Sequence, residues 1–134
     1  MLVTTQLAFT PEEQREFLQL GIKAVILFGS RAQGISRPTS DYDIFIIGRR
    51  SPEAYDFLYN LLSGKIQQLV NIDIVFQSTA PMELQNHVAQ YGQPLFQENP
   101  MIFADFKSYV METYADFEPL RRVFQQATLE RISA

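Results

Sequence analysis

Apolar and polar residues along this chain fall into segments of two different periods. "FTPEEQREFLQLG" opens with the signals of a helix start: Thr10 stands at the N-cap, Pro11 at the first helical position and Glu13 three residues after the cap, with Gly21 as a stop. "IKAVILF" (22–28) is short, apolar and β-branched, the pattern of a buried strand. "GSRAQG" turns the chain, with a short helix as one outcome, "RPTS" is loop, and "DYDIFIIG" (41–48) predicts a second strand. Ser51-Pro52-Glu53 starts a helix that runs to about residue 68, with Gly64 weakening its end. "VNIDIVFQ" (70–77) predicts a third strand, Pro81 begins a helix ending at Gly92, and "QPLFQ" suits a short edge strand. From Met101 to about Arg131 the pattern is helical, interrupted at Pro119. Strands alternating with helices predict an α/β domain with helices packed against a small sheet.

Composition narrows this picture. A chain of 134 residues predicts a single domain, and 46% apolar residues are enough for a real core. The net charge of −4 argues against a free-standing nucleic-acid binder, which carries a basic stripe. It leaves room for a basic protein partner, or for ATP with a metal carrying its charge. The absence of cysteine excludes disulfides and thiolate metal sites. "MLVTTQLAF" lacks a basic stretch followed by a long apolar one, so no signal peptide is expected. No apolar run approaches the roughly 20 residues of a membrane span. The expected address is the cytoplasm, with no membrane contact.

The chemistry concentrates around two strand ends. Successive side chains of a strand point to opposite faces, so Asp41 and Asp43 share one face, about 7 Å apart, while Tyr42, Ile44 and Ile46 share the other. Asp73 lies between Ile72 and Ile74 in the third strand. If the second and third strands are neighbours, three carboxylates converge. Like charges beside an apolar core raise one another's pKa, and a cation relieves them. An all-oxygen donor set selects a hard cation, Mg²⁺ or Mn²⁺. A lone D-x-D is ordinarily a turn aspartate before a strand; Asp73, inside an apolar strand, is what makes the pattern unusual. Gly29-Ser30 directly follows the first strand, where glycine lets a ligand approach and a turn aims N–H groups at phosphate. Alone, Gly-Ser is an ordinary turn, and it is neither a P-loop nor a dinucleotide fingerprint.

Together, the spacing Gly29-Ser30, ten residues, Asp41-Tyr42-Asp43, with Asp73 on a later strand, resembles the signature of the DNA polymerase β-like nucleotidyltransferases. "GSRAQG" and "SDYDI" resemble the short form found in minimal nucleotidyltransferases, the MNT proteins. The resemblance covers roughly residues 20–97, with a C-terminal helical segment at about 101–131, in a single domain spanning 1–134. It implies a small mixed β-sheet with packed helices and C-terminal helices. It further implies two Mg²⁺ ions on Asp41, Asp43 and Asp73, catalysis by the same three residues, and Gly29 and Ser30 holding the nucleotide's phosphates. ATP would be the substrate, with AMP transferred and pyrophosphate released. In the MNT family the acceptor is a tyrosine of a helical HEPN ribonuclease toxin, which AMP silences, and no nucleic acid is bound directly. The alternatives are a small-molecule transferase of the aminoglycoside type, needing extra helices or a homodimer to complete a drug site, and an antitoxin acting by binding alone.

The remaining candidates are weaker. Arg31 and Arg37 are loop arginines, either phosphate contacts or, more commonly, solvated. Phe103, Phe106, Tyr109, Tyr114, Phe117 and Phe124 resemble the aromatic C-terminal helices of such antitoxins, and either dock a partner or pack on their own sheet. His87, the sole histidine, reads as a solvated residue of a surface helix, and Lys65 as solvated near a helix end. Glu12, Glu13, Glu16 and Glu53 favour helix dipoles.

Overall fold

A computed structural model describes residues 7–116. Among these residues the order is α1 (Pro11–Gln19), β1 (Ile22–Phe28), β2 (Tyr42–Gly48), α2 (Pro52–Ile66), β3 (Ile72–Phe76), α3 (Met82–Tyr91), β4 (Gln93–Gln97) and α4 (Ile102–Asp116), with one short 3₁₀ turn at Gln77–Thr79. The expected helix beyond 116, its break at Pro119, and Phe117 and Phe124 lie outside the described residues, as do residues 1–6.

The helix starts follow the cap chemistry. Thr10 Oγ1 accepts from the Glu13 N–H at 3.1 Å, and the Thr10 N–H donates back to Glu13 Oε1 at 2.9 Å. That backbone donor is the largest cause holding the Glu13 carboxyl below its ordinary pKa, and Lys65 adds to it through an ion pair at 3.0 Å. Lys65, expected in solvent, therefore ties the last turn of α2 to the first turn of α1. Ser51 caps α2 through the Ala54 N–H at 3.0 Å. Gly64 does not end α2; the helix runs past it to a left-handed Gln67 at φ +53°.

The four strands form one mixed sheet in the order β3-β2-β1-β4. β1 lies antiparallel to β2 and β4, and β2 lies parallel to β3. β4 is an edge strand, as its short, proline-containing sequence suggests. "GSRAQG" forms turns rather than a short helix: the Ala32 and Gln33 N–H groups both reach the Gly29 carbonyl, and Gly34 (φ +73°) then diverts the chain.

Helices cover both faces. On one, Phe17 of α1 and Leu58 and Leu62 of α2 bury themselves against Val25, Leu27, Ile44 and Ile46. On the other, α3 and α4 lay Val88, Phe106 and Val110 on Ala24, Ile26 and Phe45. The aromatic residues of α4 divide accordingly: Phe106 is buried and Phe103 packs beside it, whereas Tyr109 is exposed. Tyr114 donates to Glu83 Oε2 at 2.9 Å, tying α4 to α3.

Candidate active site

Strand register builds the site. On the α3–α4 face, Ile26, Phe45 and Val75 stand side by side across three strands, and the next row outward is Phe28, Asp43 and Asp73. The apolar face therefore ends in a pair of carboxylates, directly opposed on parallel neighbours. The two strands are adjacent, which brings Asp43 and Asp73 together, while Asp41 precedes β2 and among the described residues no group of three such side chains is placed to hold a metal ion.

The three aspartates are not equivalent. Asp43 is half-buried, while Asp41 and Asp73 are exposed. Asp41 stands one residue before β2 begins. The Asp43 carboxyl is pushed above its ordinary pKa, first by burial, then by the negative charges of Asp73 and Asp41, and by a hydrogen bond with Asp73 that requires a proton. The burial cost expected at Asp73 thus falls on Asp43 instead, because Asp73 opens an edge strand.

Gly29 is where this carboxylate meets the turn after β1. Its φ is +77°, and a Cβ there would collide with Asp43 Oδ2. Only glycine both adopts this conformation easily and leaves that space. Next to it, the Ser30 N–H, the Ser30 hydroxyl and the Arg31 N–H find no acceptor among the described residues. They supply donors beside the carboxylate pair, as an anion site needs.

Arg31 is partly exposed, and its guanidinium is committed to the loop that follows. Its guanidinium donates to the carbonyls of Arg37, Pro38 and Ser40, and lies 4.0 Å over the Tyr42 ring. Arg37 is exposed. His87 was expected in solvent and is instead half-buried, with its ring 6.2 Å from that of Phe28 and 5.2 Å from that of Tyr91. A positive charge on this ring would favour the ionised form of Asp43. Sequence reasoning missed it because nothing local to α3 reveals that the helix crosses the end of β1.

This arrangement, a mixed sheet presenting an aspartate pair beside a glycine-serine turn, is that of the polymerase β-like nucleotidyltransferase fold. Residues 13–101 match the family described as polymerase beta, nucleotidyltransferase, and the chain belongs to that family. The fold is shared with a crystal structure of a toxin–antitoxin pair with AMP-PNP, at 21% identity and a TM-score of 0.66, over 90% of this chain and 98% of that one. It is shared too with a structure of tri-AMPylated Shewanella oneidensis HEPN toxin in complex with MNT antitoxin, at 19% identity and a TM-score of 0.60, over 90% and 96% of the two chains. The toxin–antitoxin MntA–HepT matches at 19% identity and a TM-score of 0.60, over 90% and 97%. No curated protein matches the chain by sequence.

Proposed function

We propose that this protein is the antitoxin of a two-protein module, a cytoplasmic adenylyltransferase that moves AMP from ATP to a tyrosine of a HEPN ribonuclease and thereby silences it. The observation that carries this reading is the Asp43–Asp73 pair, in register on neighbouring strands, with Asp43 set against Gly29 of the glycine-serine turn. The AMP-PNP of one structural neighbour and the tri-AMPylated HEPN toxin of another support the choice of nucleotide and partner.

The donor set suits Mg²⁺, with Mn²⁺ as substitute. The paired carboxylates repel one another and offer hard oxygen atoms only. Among the described residues no group of three or more His, Cys, Asp or Glu side chains is placed to hold a metal alone. Mg²⁺ commonly takes one or two protein carboxylates and completes its shell with water and substrate phosphates, so this pair fits an ion that arrives with ATP. When bound, two ions would neutralise the triphosphate and activate the attacking oxygen.

The residues then divide the work. Asp43 and Asp73, with Asp41 from the preceding loop, hold the ions. The donors of Ser30 and the Arg31 N–H bind the β- and γ-phosphates, and Gly29 lets them approach. The tyrosine's phenolic oxygen forms a bond to the α-phosphorus, the bond from that phosphorus to pyrophosphate breaks, and exposed Asp73 receives the phenolic proton.

The test is intact-mass spectrometry of the HEPN protein co-expressed with this chain or with the Asp41→Asn/Asp43→Asn double variant. A gain of one or more AMP units, seen only with the native aspartates, is the expected result. Transfer by the double variant would overturn the metal assignment. No mass gain, with toxicity neutralised by both forms, would mean that the protein acts by binding.

A further inference from the structure

In the loop between Gly29-Ser30 and Asp41, the Arg31 side chain makes four hydrogen bonds to backbone carbonyls. Arg31 Nη2 donates to the carbonyls of Arg37 (3.3 Å), Pro38 (3.2 Å) and Ser40 (2.9 Å), and its Nε donates to Ser40 as well, at 3.1 Å. The turn it grips is closed on itself: the Ser40 N–H reaches the Arg37 carbonyl at 2.9 Å, and Ser40 Oγ accepts from the Arg37 N–H at 2.8 Å. The guanidinium carbon also stands 4.0 Å from the Tyr42 ring centre, over its face. Tyr42 is buried, and its N–H bonds the Asn71 carbonyl at 2.9 Å, just ahead of β3. Gln93 of β4 anchors the same loop by donating to the Ala32 carbonyl.

Asp41 itself is exposed, and no side-chain hydrogen bond fixes it among the described residues. The residues on both sides of it, Ser40 and Tyr42, are both held by Arg31. We infer that the Arg31 side chain is a positioning group: it braces the 37–40 turn against Tyr42 and so sets where Asp41 and Asp43 stand, and its guanidinium does not bind phosphate. Only Nη1 is left uncommitted, which is too little for the bidentate grip that makes arginine a phosphate ligand. Lysine cannot replace it, because three carbonyls and a ring face require a planar fork rather than a point charge.

This inference rests on the proposed nucleotidyl transfer for its functional half, whereas the brace itself can be tested without it. Arg31→Ala and Arg31→Lys would be compared with wild type in two measurements. The first is amide hydrogen exchange, followed peptide by peptide. Losing charge-assisted bonds to the turn should speed exchange across residues 37–42 roughly tenfold or more in both variants, with the peptides of α1 and α2 unchanged. The second is Mn²⁺ affinity with AMP-PNP present, read by electron paramagnetic resonance, together with the kinetics of transfer. Mn²⁺ affinity and kcat should fall about tenfold or more while KM for ATP stays within about twofold.

Unchanged exchange at 37–42 would overturn the brace. Faster exchange with Mn²⁺ affinity and kcat intact would show a brace that positions nothing. A rise in KM for ATP with unaltered exchange would make Arg31 a phosphate ligand after all, and faster exchange throughout the molecule would reduce it to a general stabiliser. A wild-type protein that neither binds Mn²⁺ nor transfers AMP would defeat the functional proposal instead, and the exchange comparison would still decide the brace.

Discussion

The two faces of the sheet are made by the same strands and end differently. On the α1–α2 side, β1 and β2 present apolar residues along their whole length, from Ile22 and Ile46 to Leu27 and Tyr42, all buried. Phe17 sits at the centre, fully buried, with the rings of Phe9, Phe57 and Phe96 at 4.9, 5.8 and 5.1 Å. On the α3–α4 side the apolar rows stop one residue short, and the last row is Phe28, Asp43 and Asp73. A buried apolar face stabilises the strands without help from the carboxylates, and this lets the opposite face carry like charges.

The comparison breaks most forcefully at Phe17. Phe17→Ala would remove a large, fully enclosed ring and should destabilise the protein by about 3–5 kcal/mol, read from urea denaturation. Asp43→Asn should do the reverse. It removes a charge that burial and two neighbouring carboxylates disfavour, so the metal-free protein should lose no stability. Transfer should nevertheless fall roughly a hundredfold or more, since even groups that merely orient a metal's ligands are worth 10–100-fold. A variant that unfolded would show that the Asp43–Asp73 pair holds the fold together.

Gly29→Ala tests the seam between turn and carboxylate. The left-handed backbone alone should cost about 1–2 kcal/mol, and the new methyl must displace Asp43. A lower Tm accompanied by weaker Mn²⁺ binding is expected. A lower Tm with metal binding intact would separate Gly29 from the site.

Acidity gives a smaller and signed effect. Because Asp43's folded-state pKa is raised by burial and by Asp73 and Asp41, the folded metal-free protein holds that proton more tightly than the unfolded chain does. Its contribution to stability is complete below the ordinary aspartate pKa and is lost as pH rises through the raised value. Glu13, with its pKa lowered by the Thr10 backbone and Lys65, slopes the other way, its contribution disappearing as pH falls. Denaturation of wild type and Asp43→Asn across the acid-to-neutral range isolates the Asp43 part: the difference between them should widen in favour of the variant as pH rises. A constant difference would mean that Asp43 is not strained.

Much of this was legible in the sequence, where information is local. Period-two alternation placed Asp43 opposite Tyr42, Ile44 and Ile46, whereas Asp41 falls just ahead of the strand, and the cap residues marked the start of α1. Adjacency of Asp73 to Asp43 was reachable only on condition that β2 and β3 pair. What the sequence hid depends on sheet order and on distant packing. The edge position of β3 leaves Asp73 exposed and shifts the burial to Asp43. The crossing of α3 over Phe28 brings His87 to the site. Arg31 looked like any loop arginine because its partners are backbone carbonyls, which no residue pattern encodes.

The smallest effect lies far from the carboxylates, at the end of α2, where the dry face is less than ideal. Gly64 is exposed within the helix, and beyond its chain neighbours and the helix's own backbone no atom lies within 4 Å of where a Cβ would stand, while Gln67 holds the left-handed position at φ +53° that glycine usually takes. Glycine and non-glycine are thus each in the place that suits the other. Gly64→Ala should stabilise by about 0.5–1 kcal/mol through a less flexible unfolded chain, and Gln67→Gly by a similar amount through relief at the cap. The sites are three residues apart without a shared side-chain partner among the described residues, so the double variant should approach the sum, seen as a rise in Tm with transfer unchanged. A double variant no more stable than either single one would mean that both substitutions act on one and the same event, the fraying of the last turn of α2, rather than independently.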